Sequence, residues 1–171
     1  MSLQAIVSYL ARKKETIQGK KAFQKFMYFI DAKGVPTQLS FRIYHFGPYS
    51  SDLDYQTDNL ELEGSITISK SGEKFVIQPG DKYEEILIRE EAFISQHSHI
   101  INSVIELLPD EPKVLELWST THFVANSMFK MYQTFDKTKV IDEVKKIKQD
   151  KFSLEQIDAA YDKLFELGFL P

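Results

Sequence analysis

The stretch Gly64-Ser65-Ile66-Thr67-Ile68-Ser69-Lys70-Ser71-Gly72-Glu73-Lys74-Phe75-Val76-Ile77-Gln78-Pro79-Gly80 decides the fold. Ile66 and Ile68 alternate with Thr67 and Ser69, and Phe75, Val76 and Ile77 return on the far side of Lys70-Ser71-Gly72-Glu73. β-Branched and aromatic residues at period two, flanking a polar Gly-containing tetrapeptide, predict a hairpin over residues 65–78. Upstream of it the period is helical. Leu3, Ile6, Val7 and Leu10 make one face of a first helix that ends in Arg12-Lys13-Lys14. Phe23, Phe26, Met27 and Ile30, widened by Ala22 and Phe29, make a second over residues 19–33, with Lys20, Lys21 and Lys25 expected on the opposite face. Gly34 and Pro36 close it. Residues 39–46 switch to period two and predict a strand ended by Gly47-Pro48. Ser50 or Ser51 then caps a third helix, which runs to about Glu63.

Downstream, Phe93, His97, Ile100, Ile101, Val104, Ile105 and Leu108 share the stripe of one helix that starts near Asp81 and stops at Pro109. Residues 111–132 are apolar nearly all round, which predicts a central helix. Thr138 is the expected cap of a helix to Lys148, and Ser153 with Gln156 forms a capping box for the last helix. The class is therefore mostly α with a small antiparallel β part. The order helix, helix, strand, helix, hairpin suggests a winged-helix-like unit over residues 1–80, packed on a helical bundle over residues 81–171 in one compact body.

Composition narrows the function. The chain has 171 residues, 43 % hydrophobic and 27 % charged, with a net charge of −4. A chain of this size buries roughly 70 % of its unfolded surface, enough for a core without covalent staples. No cysteine is present, which excludes disulfides, thiolate nucleophiles and Cys-ligated metals. No apolar run approaches a membrane span and no leader pattern opens the chain, so a cytoplasmic protein is expected. GxGxxG, P-loop, HExxH and GxSxG patterns are absent. His97 and His99 point to different helix sides and make a poor metal pair. His97 reads as a core histidine, and His122 as a buried one bonded to a backbone carbonyl or to another helix. No catalytic residue, metal ligand or cofactor is assigned.

A DNA-reading third helix should carry Arg, Lys, Asn or Gln toward base edges. This one carries Asp52, Asp54, Asp58, Glu61 and Glu63 with no Lys or Arg, so phosphate repulsion opposes DNA binding there. Between Arg12 and Lys33 lie seven Lys/Arg against two acids. Opposite-sign patches suit a protein partner or self-association into a homo-oligomer. The densest polar and aromatic run is Tyr44-His45-Phe46-Gly47-Pro48-Tyr49-Ser50-Ser51. Gly47 permits unusual dihedrals, and the N–H groups of the helix that follows can hold an acidic group of a partner. The expected partner surface is thus Tyr44, His45, Gly47, Pro48, Tyr49 and Ser50 with Asp52, Asp54 and Asp58. The alternative is a transcription regulator that reads DNA with Lys20, Lys21 and Lys25 and with the hairpin.

At these same residues the chain resembles a known family. Lys21-Ala22-Phe23-Gln24-Lys25-Phe26-Met27-Tyr28-Phe29, the corner over 41–51, the Leu117–Val124 helix and the closing residues 152–170 resemble the YwgA-like family of uncharacterised bacterial proteins. They are distantly similar to Panacea (SocA-like antitoxin) domains. That resemblance implies a bacterial, non-enzymatic protein, antitoxin- or adaptor-like, that binds a protein such as a toxin.

Overall fold

The computed structural model describes residues 2–171. It is 65 % helix and 12 % strand, the helix-rich α+β class that the periodicities predict. Its contacts divide the chain into two compact units. One is the chain up to Arg42 with Tyr49–Leu108, and the other is Ile43–Pro48 with Pro109–Pro171. The boundary expected after residue 80 therefore lies after 108, and a six-residue segment from the first half groups with the second unit.

The first unit opens with α1 (Ser2–Lys14), β1 (Ile17–Gln18) and α2 (Lys20–Ala32). After α3 (Ser51–Leu62) come β4 (Ile66–Ser71) and β5 (Lys74–Pro79), then α4 (Tyr83–Arg89) and α5 (Glu91–Leu107). Between α2 and α3 the chain makes two short strands, β2 (Arg42–Tyr44) and β3 (Gly47–Tyr49), which pair with each other. So Gly47-Pro48 does not end a strand, as expected, but begins one; the turn is His45-Phe46.

The hairpin gains a third strand that its own sequence does not announce. The order is β1-β5-β4, all antiparallel, with Ile17 opposite Ile77 and Ile68 opposite the same residue. Two residues carry no readable period, and β1 exists only because β5 offers an unpaired edge. One sheet face presents Ile17, Ile66 and Ile77, all buried, and α1 and α2 both pack on β5. Two helices were expected to be amphipathic and central, respectively, and here the sequence reading of α2 is corrected. All nine residues from Ala22 to Ile30 are buried, Lys25 included at 4 % exposure. Sheet on one side and α5 on another leave the middle of α2, residues 22–30, no solvent face. Burial, reinforced by Asp31, pushes the Tyr28 phenol well above its ordinary pKa.

Inside this helix Gln24 does the work of a turn of backbone. Its Nε2 donates to Ser50 O and its Oε1 accepts from Ser50 N, both at 2.9 Å. Ser50 is fixed by both backbone groups, and its Oγ accepts from Leu53 N to cap α3. The tight passage at the other end of α3 needs glycine. A Cβ on Gly80 would lie 2.2 Å from Gly64 O. The single helix expected from Asp81 to Leu108 is two, broken at Glu90. No glycine or proline marks the break, so periodicity runs through it. α1 packs against both pieces, and that contact is what moves the unit boundary to 108. His97, expected in the core, is only half-buried, with its ring 4.5 Å from that of Phe93.

In the second unit α6 (Pro112–Tyr132) is central and packs on α7 (Lys137–Lys148) and α8 (Leu154–Glu166), which pack on each other. Pro112 opens α6, and Ser153 and Gln156 close the expected capping box on α8. α7 starts earlier than expected because Asp136, not Thr138, caps it through Lys139 N.

Gly80→Ala should destabilise the protein by about 1–3 kcal/mol, because its methyl meets backbone that cannot move aside. Gly72→Ala, at a hairpin turn with open space around it and φ 65°, should cost only about 1 kcal/mol. Urea unfolding of the two variants checks the order; a larger loss at Gly72 would contradict this account.

Candidate functional site

The corner that the sequence singles out is divided by burial. Gly47, Pro48 and Ser50 are buried and Tyr49 is half-buried, so the structure does not offer them as an open surface. Ser50 Oγ already caps α3, which satisfies the helix terminus there. What reaches solvent is the tip: Tyr44 at 60 %, His45, and Phe46 at 41 % exposure, with the Tyr44 and His45 rings 4.5 Å apart.

Beneath the tip lies a cluster that sequence reasoning missed. Glu116 on α6 is buried, and two ammonium groups meet it. Lys151 Nζ donates to Oε1 at 2.8 Å, and Lys148 Nζ stands 3.0 Å from Oε2 as an ion pair. Lys148 is itself buried, and it also donates to His45 O at 3.3 Å. Lys151 is the exposed member, and its Nζ lies 5.1 Å from the Phe46 ring centroid. Residue 149 makes this convergence work. Gln149 adopts φ 53°, a left-handed backbone that turns the chain so that Lys148 and Lys151 reach one carboxylate. Gly47, at φ 99°, sits so close to α6 that a Cβ would come 2.8 Å from Thr120 Oγ1, a buried hydroxyl with no hydrogen-bond partner. A carboxylate within the apolar run of α6 was the available signal: Glu116 stands between Leu115 and Leu117.

Burial pushes the Glu116 carboxyl up, but Lys151 and Lys148 outweigh it and hold the group below the ordinary glutamate value. A folded-state pKa that is depressed adds stability above the unfolded pKa, and that stability is lost as pH falls through the folded value.

The acidic helix is placed as expected, with two of its acids engaged. Glu61 Oε2 accepts from Ile68 N at 2.7 Å, covering the open edge of β4, and Glu63 accepts from Gln4, whose Oε1 is held by Arg89 at 2.7 Å. Asp52, Asp54 and Asp58 are exposed and make no ion pair among the described residues. Asp52 and Asp54 also lie in the first turn, where the helix dipole favours them. On the same solvent side stand Tyr55 at 81 % and Leu62 at 83 % exposure, one heptad apart.

The basic alternative is not one surface. Lys25 is buried, Lys21 is exposed, and Lys20 Nζ lies 4.6 Å from the Phe75 ring. Phe75 is opposite Lys70 in the hairpin, and Lys74 is next to it. Lys20 therefore belongs with the hairpin and not with Lys25.

His122 is buried, and its Nε2 donates to Phe169 O at 3.0 Å, the first of the two expected partners, tying residue 169 to α6. An open groove of 560 Å³ in the first unit is lined by Tyr9, Arg12, Glu84, Ile88, Glu91 and Ser95, and one of 400 Å³ in the second by Ile141, Asp142, Leu154, Glu155 and Asp158 among others. Neither contains a residue of the expected surface. Among the described residues no group of three His, Cys, Asp or Glu is placed to hold a metal ion, and no helix is long and apolar enough to cross a membrane. No protein-family model and no curated protein matches this chain.

Glu116→Gln strands Lys148 in the interior and should cost about 3–5 kcal/mol near neutral pH. The gap between wild type and variant should narrow as pH falls below the ordinary glutamate value of 4.5, where wild-type Glu116 is progressively neutralised. Unfolding curves from pH 7 to pH 3 check it; a gap independent of pH would contradict the ion-cluster account.

Proposed function

We propose that this chain is a cytoplasmic, non-enzymatic protein-interaction module, winged-helix-like in its first unit, acting as an antitoxin- or adaptor-like regulator. Its two candidate partner surfaces are the outward face of α3 in the first unit and, separately, the tip of the β2–β3 hairpin in the second. The observation that carries the reading is the face of α3. Asp52, Asp54 and Asp58 surround Tyr55 and Leu62, two large side chains left almost wholly in water. A partner can bury this tyrosine and leucine together and meet the carboxylates around them with its own basic rim. The β1-β5-β4 sheet order, with a strand from between the first two helices added to the hairpin, supports the winged-helix likeness. The acidic face opposes DNA binding by that helix. The family likeness in the second helix and the corner points the same way.

A second reading, nucleic-acid binding by the hairpin, draws on Lys20, Lys70 and Lys74 around Phe75. It no longer includes Lys25, which is buried.

The test is capture from a lysate of the source cell, with and without nuclease. Asp52→Lys, Asp54→Lys and Asp58→Lys together should weaken retention of the partner at least about tenfold through like-charge contact with its basic rim. The two first-turn changes should also cost about 0.3–1 kcal/mol each by opposing the helix dipole. Tyr55→Ala, which is exposed and should move stability by no more than about 0.5 kcal/mol, separates binding from folding. Retention unchanged by both would overturn the α3 surface, and retained nucleic acid that nuclease removes would put the hairpin reading first.

A further inference from the structure

The tip of the β2–β3 hairpin combines three features. It exposes Tyr44, His45 and Phe46 at a two-residue turn. Its backbone is gripped from below, at the His45 carbonyl by buried Lys148 and at Gly47 by the close approach of Thr120. And the ion cluster beneath it is not neutral. Glu116 supplies one negative charge, while Lys148 and Lys151 supply two positive ones. Glu116 and Lys148 are buried, so the excess charge reaches solvent at Lys151, beside the ring of Phe46.

We propose that Tyr44, His45, Phe46 and Lys151 form the docking point for an acidic segment of a protein partner, and that Lys148 and Glu116 are positioning residues that hold the tip in its binding shape. The proposal rests on the interaction-module reading and supplies the chemistry of one of its two surfaces.

The energetics favour a positioning role. Burying two charges is expensive, and a packed apolar pair of the same volume is commonly as stable or more so. An ion pair does what a methionine cannot: the Lys148 ammonium donates a directed hydrogen bond to one carbonyl, that of His45. It holds the backbone that carries the exposed aromatic side chains, and aromatics presented from a held backbone are those on which binding energy concentrates, because less freedom is left to lose. The single excess cation selects the partner's chemistry. Nucleic acid needs several cations spaced along its phosphates. One ammonium flanked by aromatic faces suits a carboxylate of an acidic peptide segment, with the ammonium already drawn to the Phe46 ring and able to turn from it to an anion.

The experiment is an amide NMR titration of the full chain with a hexaglutamate peptide, with hexathymidylate as the second probe. Hexaglutamate should shift the amides of residues 44–47 and 149–151. Lys151→Met, which leaves the Glu116–Lys148 pair in place, should weaken that binding about threefold or more by removing the exposed cation. Lys148→Met leaves Glu116 paired with Lys151 and so keeps the fold. It should speed hydrogen exchange at residues 45–47 and weaken hexaglutamate about threefold as well, although Lys151 is untouched. Lys148→Arg, which keeps a donor, should restore both. The proposal is overturned if hexaglutamate shifts only Lys20, Lys70 and Lys74 or nothing, if hexathymidylate binds the tip as tightly, or if Lys148→Met changes neither exchange nor affinity. The titration reads the tip without α3. Its failure leaves the α3 capture result standing, and failure of that capture leaves the tip result intact.

Discussion

A carboxylate cut off from water stays ionised only if something else supplies the opposite charge, and Glu116 is supplied twice. The geometry of the second unit around it follows from that demand. Lys148 must end α7 pointing inward, although it closes a helix whose other terminal lysines face water or the backbone of Phe152. The chain must then reverse through a left-handed Gln149 so that Lys151 reaches the second oxygen. With its remaining donor capacity Lys148 takes the His45 carbonyl, and the hairpin tip is placed. Remove the carboxylate and none of these orientations has a reason.

The first unit solves a comparable problem without charge. Gln24 lies in a fully buried stretch of its helix, so its amide must find partners inside. It finds both in the backbone of Ser50, which has an N–H and a carbonyl at the point where a strand gives way to a helix. A side-chain amide has one donor end and one acceptor end, which is the complement of a peptide group. The pairing thereby sets where α3 begins and leaves the Ser50 hydroxyl to cap it. The acidic face of α3 is thus displayed from a fixed start. Its far end is set by the Gly64–Gly80 passage.

The two surfaces that result differ in how they were readable. The acids of α3 are visible as letters, and that Asp52, Asp54 and Asp58 lie outward follows from a capped helix with Leu53 and Leu60 inside. Tyr55 and Leu62 mislead, because a helical period treats every apolar residue as a claim on the core. Only the absence of anything packed over them makes them a surface. The corner misleads in the opposite sense. Gly47, Pro48 and Ser50 look functional because they are conformationally special, yet that property serves the close approach to Thr120 and the cap on Leu53. The tip's contact chemistry instead comes from Lys151, more than a hundred residues later in the chain.

By itself the sequence determined what depends on neighbours a few residues apart. The capping box of Ser153 and Gln156, the hairpin over 65–78 and the helix-rich α+β class rest on local patterns, and these stand, while the helical period over 81–108 ran through a break it could not show. Tertiary structure alone decided what depends on residues far apart. β1 is a strand because β5 has an open edge, α2 buries Lys25 because α5 and the sheet cover it, and residues 81–108 join the first unit because α1 packs on them. The Glu116 cluster belongs to the same class. A lysine at 148 and a glutamate at 116 carry no mark of each other in the chain, and only burial, which makes an unpaired charge intolerable, brings them together.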